Sequence, residues 1–214
     1  MARLTPVTPA KRALDLVMVA VLLVLVGLPF LCLLAVMLLV EGRPLFYVAE
    51  RMKSPDQPFN LWKLRTMRPA GPERGVSGGD KQARITRFGA FCRRVRADEV
   101  PQLWNVLKGD MSIVGPRPPL RDYTDRFPEL YRQVLQSRPG ITGLASLRYH
   151  ETEERLLAPC QDAAAVDHVY ATRCVPRKAR LDLIYQRHQS LCFDLVLIWE
   201  TGTRVLLRRV FRLE

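Results

Sequence analysis

Apolar and polar positions separate most sharply near the amino terminus. Leu16 to Val40 holds no charged residue (LVMVAVLLVLVGLPFLCLLAVMLLV). As a helix rising about 1.5 Å per residue, this run covers a bilayer core of roughly 30 Å with some tilt. It is too long for a cleaved signal peptide, and no small-residue cleavage site precedes the next charges. Lys11 and Arg12 precede the run, while Arg43, Arg51 and Lys53 follow it. The positive-inside tendency asks both flanks to stay on the cytoplasmic side, which one crossing cannot satisfy. Gly27-Leu28-Pro29 offers a kink halfway along, because Pro29 removes a backbone donor and clashes with the preceding turn. Two readings stay open: two short helical arms that enter and leave one leaflet, or an ordinary transmembrane helix with a tolerated proline.

The pattern then changes period. Leu45-Phe46-Tyr47-Val48 is short and β-prone, and Phe59 to Leu64 alternates like a half-buried strand. With Ser54-Pro55-Asp56 as the turn between them, a two-stranded hairpin is expected. The stretch 68–83, with Pro69, Gly71, Pro72, Gly75, Gly78 and Gly79, reads as a mobile loop. A helix is predicted from near Thr86 through Cys92 and Val95, ending before Pro101. Gln102 to Leu107 forms a short helix or turn that Gly109 stops, and Ile113 to Pro119 a rigid loop. Asp122 to Gln136 reads as a further helix closed by Arg138-Pro139-Gly140, and another helical pattern begins around Arg177. The segment 190–213 sets Leu191, Phe193, Val196, Leu197, Ile198, Val205, Leu206 and Val210 beside Arg204, Arg208, Arg209 and Arg212. That is an amphipathic helix, suited to a membrane interface or to a core with a basic outer face.

Charge narrows the partners. The 214-residue chain has a formal net charge of +12, so nucleic acid, an anionic membrane surface and phosphorylated substrates all qualify. No helix-turn-helix, zinc-finger or RNA-binding signature is present, which argues against nucleic acid. The five cysteines are scattered without a Cys-x-x-Cys pair, and the three histidines share no ligand spacing. Neither a zinc site nor a disulfide framework is expected.

The candidate chemistry lies between Arg93 and Pro119. Asp98 and Glu99 sit together among Arg84, Arg87, Arg93, Arg94 and Arg96, followed by a Pro/Gly-braced loop carrying Arg117. Nearby cations favour the ionised acid, which suits a carboxylate that attacks or holds a metal. The same cations suit a phosphorylated partner.

These residues resemble the bacterial sugar transferase family, the monotopic phosphoglycosyl transferases that start glycan assembly on a polyprenyl phosphate. Lys11-Arg12 with Asp15 looks like the family's opening, and Gly42 to Tyr47 with Glu50-Arg51 its next section. Phe59 and Lys63-Leu64-Arg65-Thr66-Met67 match its K-F-R-S/T-M element. Asp98 to Pro118 matches D-E-x-P-Q-L-x-N-V-x-x-G-D-M-S-x-V-G-P-R-P, the most specific block. Arg138 to Ser146 resembles the P-G-I/L-T-G element, and Leu181-Asp182 with Tyr185, Ser190 and Asp194 the carboxy-terminal section. The chain departs from the pattern at Leu28, where a serine is usual, at Lys53, where a glycine is common, and after Gly143. There it reads Leu144 to Glu151, with Arg148 and His150 as weak candidates for lost contacts. Residues 152–180 look like an elaboration that bears on donor choice.

The resemblance implies that Asp98 attacks the β-phosphate of a UDP-sugar, releasing UMP. A polyprenyl (undecaprenyl) phosphate then takes the phosphosugar from the enzyme. Glu99 would hold Mg2+ and Arg117 would clamp phosphate oxygens, with Arg96, Lys63, Arg65 and Arg138 as further phosphate or substrate contacts. The expected fold is α+β and mostly helical. Residues 1–41 form a re-entrant membrane helix-break-helix bent at Pro29. Residues 42–214 form a catalytic domain with a small β-hairpin and interfacial amphipathic helices, on the cytoplasmic face of a bacterial inner membrane. A catalytically silent scaffold on anionic lipid is the competing class, and the acid pair with Arg117 argues against it. The sugar and the oligomeric state are not specified by these motifs.

Overall fold

A computed structural model describes residues 8–68 and 83–210, with side chains described up to Val205. The expected mobile loop therefore lies, apart from its end residues, outside the described residues, as does Arg212.

The apolar run folds as one helix, α1, over Pro9–Glu41. Thr8 caps its start, accepting from the Lys11 amide at 3.3 Å, and Pro9 fills the first turn, where no amide donor is needed. Gly42, at φ 68°, ends it. Pro29 lies inside this helix, so the expected break into two arms is not a break in helical structure. The lost hydrogen bond is confined to one turn, and the apolar residues on either side continue the helix.

One stripe of α1, through Asp15, Val19, Leu22, Val26, Phe30, Leu33 and Met37, is shielded, while Val24, Leu25 and Leu28 are 68–82% exposed. Both ends of the stripe pack on the rest of the chain. Val19, Met18 and Leu22 join a core with Phe59, Leu61, Leu103, Val106, Met111 and Leu197. Met37, Phe30, Leu33 and Leu34 join a second core with Leu64, Cys92 and Phe88.

The hairpin forms as expected, though longer: β1, Phe46–Ser54, pairs antiparallel with β2, Gln57–Leu64. Next come α2, Arg87–Arg94, capped by Thr86; a 3-10 turn over Ala97–Glu99; and α3, Gln102–Lys108, ended by Gly109 at φ 83°. Asn105 ties α3 to the hairpin, accepting from the Trp62 amide at 3.1 Å and donating to the Asn60 carbonyl at 2.7 Å.

Two short strands were not anticipated. β3, Ser112–Val114, pairs parallel with β4, Gly140–Thr142, Ser112 opposite Gly140 and Val114 opposite Thr142. The chain crosses between them through α4, Arg121–Arg126, and α5, Pro128–Val134. These two helices replace the single one expected over 122–136. Pro128 restricts Phe127 and cannot donate to the preceding turn, so the helix restarts there. A β-carbon on Gly115 would lie 2.2 Å from the Arg138 carbonyl oxygen, so the junction beyond β3 admits only glycine.

The remaining chain is helical. α6 spans Leu144–Leu157 and α7 Ala163–Val169, which a π-helical turn, Tyr170–Cys174, joins to α8, Val175–His188; α9, Leu191–Val210, follows. Helices α4 to α8 enclose a core around Tyr123, Tyr131, Val134, Leu135, Tyr170 and Val175. Along α9, Leu197 is fully buried while Leu195, Val196 and Trp199 are 48–75% exposed.

The start of α1 is fastened by buried polar contacts. Lys11 Nζ meets Asp194 at 2.6 Å and donates to the Val114 carbonyl at 3.1 Å. Asp15 accepts from the Ser112 hydroxyl and the Ile113 amide at 2.8 and 2.9 Å. The membrane-type helix is thus joined directly to β3, the strand that leads to Arg117.

Candidate active site

Three local features bring the acid pair into position. The basic helix α2 ends at Arg94 with Val95 as its cap, and Arg96 then takes a left-handed conformation with φ 56°. A non-glycine residue there carries strain of about 1–3 kcal/mol. The reversal starts the 3-10 turn that carries Asp98 and Glu99, whose amide donates to the Arg96 carbonyl at 3.2 Å. Glu99 turns inward and is 8% exposed, while Asp98 stays half-buried.

Glu99 is held by cations from three separate elements. Arg96 Nη2 lies 2.5 Å from Oε2, while Arg117 Nη1 and Lys63 Nζ lie 3.3 and 3.9 Å from Oε1. Burial alone would raise the carboxyl, but Arg96, Arg117 and Lys63 outweigh it and hold it at about 2. Asp98 behaves differently. Burial, followed by the neighbouring Glu99 charge, raises it above the ordinary aspartate value against the pull of Lys63, Arg93 and Arg96. The expectation that the basic setting keeps the acids ionised therefore describes Glu99. Asp98 is the more basic of the two, because Glu99 has taken the close cation contacts.

Lys63 feels the opposing influences too. Burial and the neighbouring Arg117 lower its ammonium to about 8, against Glu99 and Asp98. Arg93 is steered by a 2.8 Å bond from its Nε to the Thr66 hydroxyl. Arg117 is presented by the proline-braced segment after β3 and is 41% exposed, so it can meet a substrate while touching Glu99.

Two expected contacts lie elsewhere. Arg65 donates to the carbonyls of Glu41, Gly42 and Arg43 at 2.9–3.1 Å, closing the end of α1 instead of facing the acid pair. Arg138 lies beside Arg12 and Gly109, under α1. Arg148 pairs with Glu200 on α9, and His150 with Glu154 at 3.5 Å. Residues not expected as substrate contacts lie beside Arg117 instead. Arg51 of β1 and Lys178 and Asp182 of α8 line, with Arg117, a cavity of about 70 Å³. Asp182 sits in the carboxy-terminal section already marked by its resemblance, but nothing local in it points to this cavity.

No cluster of three or more metal-ligating side chains occurs among the described residues. A magnesium ion accepts one or two carboxylates and completes its shell with water and substrate phosphates. Glu99 would serve in such a shared site by giving up its longer contacts, Lys63 at 3.9 Å and Arg117 at 3.3 Å.

The site is thus a strained turn that presents an acid pair to converging cations, on a domain fastened to an apolar helix. The chain belongs to the bacterial sugar transferase family, whose model matches residues 7–208. It is 32% identical over 216 residues to the exopolysaccharide production protein ExoY of Rhizobium meliloti, covering 94% of this chain and 87% of that one. It is 31% identical over 200 residues to the UDP-glucose:undecaprenyl-phosphate glucose-1-phosphate transferase of Escherichia coli, covering 89% of this chain and 39% of that protein. It is 30% identical over 205 residues to an Aeromonas hydrophila UDP-N-acetylgalactosamine-undecaprenyl-phosphate N-acetylgalactosaminephosphotransferase, covering 92% and 43%. The chain thus spans less than half the length of these last two relatives.

Proposed function

We propose that this protein transfers a sugar-1-phosphate from a UDP-sugar to a polyprenyl phosphate at a membrane surface, through a covalent intermediate on Asp98. The observation that carries this reading is the division within the acid pair: Glu99 is clamped by Arg96, Arg117 and Lys63, while Asp98 is left more basic beside them. The similarity to transferases named for undecaprenyl phosphate supports the same reaction.

In the first step an Asp98 carboxylate oxygen bonds to the β-phosphorus, and the bond from that phosphorus to the bridging oxygen breaks. UMP leaves with the bonding pair, and the enzyme carries an aspartyl phosphosugar. In the second step a phosphate oxygen of the polyprenyl phosphate attacks the same phosphorus and returns the carboxylate. No proton need move in either step. Lys63, Arg96 and Arg117 orient the phosphate oxygens and stabilise charge as it shifts toward the leaving oxygen. Mg2+ held by Glu99 would supply further neutralisation of the diphosphate.

One substrate is soluble and the other is fixed in lipid, so the site must sit at headgroup depth. Contacts from both ends of α1 to one domain support an anchor whose two ends lie on one membrane face. Exposed Trp199, Leu195 and Val196 on α9 and Trp104 on α3 support interfacial contact.

Purified protein with Mg2+, a suitable UDP-sugar and polyprenyl phosphate is expected to release UMP. Intact-mass measurement with donor alone should show a phosphosugar adduct, absent in Asp98→Asn along with turnover. Release of UDP, or full activity of Asp98→Asn, would sink the mechanism.

A further inference from the structure

The relatives act, by name, on different sugars, and the acid pair and its cations address only phosphate. The cavity beside Arg117 offers a different chemistry. Arg51, Arg117 and Lys178 form its cationic part, and Tyr123, Tyr131 and Asp182 line it from α4, α5 and α8. Most of these groups already have partners. Tyr123 donates to Asp167 at 2.9 Å, Lys178 to Glu153 at 2.8 Å and to the Tyr170 hydroxyl at 3.2 Å, and Arg117 to Glu99.

Two groups do not. Among the described residues neither the Asp182 carboxylate nor the Tyr131 hydroxyl has a hydrogen-bond partner, though each residue is only 8% exposed. Their polar atoms are not sealed off from solvent, so each opens onto the cavity that its residue lines. The two are neighbours: after burial and Tyr170, the Asp182 charge contributes to raising the Tyr131 hydroxyl above its ordinary value. Burial pushes the Asp182 carboxyl up to about 7, opposed by Lys178 alone. The protein therefore keeps an acceptor and a hydroxyl unused in one small space.

Position and chemistry indicate what they await. Arg117 touches Glu99 and also lines the cavity, so a β-phosphate held there brings its esterified sugar to the cavity mouth. The uridine lies beyond the α-phosphate, farther along the donor. A carboxylate matches the hydroxyls and amide N–H of a hexose, all of them donors. It suits uracil less well, because the single N3–H donor of that edge is flanked by two carbonyl acceptors that would face the carboxylate. A water needs roughly 10–15 Å³ of such space, so about 70 Å³ takes the hydroxyl-bearing edge of a sugar ring, not a nucleoside.

We propose that this cavity receives the sugar of the donor, with Asp182 accepting hydrogen bonds from its hydroxyl or amide groups and Tyr131 supplying a second polar contact. The proposal rests on the assignment of a UDP-sugar donor to the acid pair. Its test separates the two. In lipid nanodiscs, the full-length Asp98→Asn protein, blocked in transfer, is titrated calorimetrically with Mg2+ and UDP-glucose, UDP-galactose, UDP-N-acetylglucosamine, UDP-N-acetylgalactosamine and sugar-free UDP. Adding Asp182→Asn is expected to weaken the tightest UDP-sugar at least tenfold while UDP changes less than twofold. Adding Tyr131→Phe, which keeps the ring and removes only the hydroxyl, is expected to give a smaller loss of at least threefold, again confined to UDP-sugars. Equal losses for UDP would assign the cavity to the nucleotide, and unchanged affinity for UDP-sugars in both variants would make it structural; either overturns the proposal. A parent protein that binds UDP but gains nothing from any sugar overturns it as well. A parent that binds no uridine diphosphate ligand would remove the donor assignment itself.

Discussion

Replacing Lys11 by methionine keeps most of the side-chain stem and deletes the ammonium that joins α1 to the catalytic domain. Lys11 and Asp194 lie 2.6 Å apart with side chains 7% and 1% exposed. Removing one partner of such a buried pair leaves an uncompensated charge and costs about 3–5 kcal/mol. Asp194 retains the Tyr185 hydroxyl at 2.7 Å, which favours the lower end of that range. For a chain of this size each kcal/mol shifts the melting temperature by about 2–4 °C, so the loss should be roughly 6 °C or more. Arg132 and Glu129 provide the control. They are also 2.6 Å apart, but 53% and 78% exposed, and Arg132→Ala should cost little or nothing. Thermal unfolding of Lys11→Met, Asp194→Asn and the double variant in one detergent gives the coupling, expected at about 2 kcal/mol. If Lys11→Met melts with the Arg132 control, or the two buried substitutions add independently, the pair does not hold the helix to the domain.

Other outcomes follow from the same geometry. Lys63, lowered to about 8, should give kcat/KM an alkaline limb near that pH as the site loses a cation; Lys63→Arg should abolish the limb, and its persistence there would refute the assignment. Because the folded value lies below the ordinary lysine value of 10.5, the unfolded chain binds more protons between the two, so this ionisation makes stability rise with pH across that window. Gly115→Ala places a β-carbon against backbone and should cost about 1–3 kcal/mol with reduced turnover as the Arg117 loop shifts. Gly202→Ala, with open space around it inside α9, should instead stabilise by about 0.5–1 kcal/mol, and equal melting of the two variants would contradict the contact. Cysteines introduced at both ends of Leu16 to Val40, in a background lacking the native thiols, should react with an impermeant reagent from the same side of intact vesicles; labelling from opposite sides would reject the one-leaflet anchor.

The features legible in the chain were those governed by neighbours in sequence. The β1–β2 hairpin followed from alternation around a turn, α3 from an apolar turn stopped by Gly109, and the apolar helix from an uncharged run. The parallel pairing of Ser112 with Gly140 was invisible, because each strand has three residues and the partner lies beyond two helices. Pro128 was in plain view, yet the helical pattern was carried across it; the fixed ring won over the apolar period. Arg65 and Arg138 looked equivalent to Lys63 as phosphate contacts, since residue type carries no direction.

By itself the sequence determined that the chain has a long apolar helix, a hairpin and an acid pair among arginines, with Arg117 in a braced loop. Local propensity and the order of residue types suffice for each. Only the tertiary structure decided which cations reach Glu99, that Asp98 is thereby left the more basic acid, and that Asp182 and Tyr131 face a cavity without a hydrogen-bond partner among the described residues. Those properties depend on distances between side chains from β1, β2, the 3-10 turn, α5 and α8. Burial and charge act through space, so they acquire values only when the fold brings these elements together.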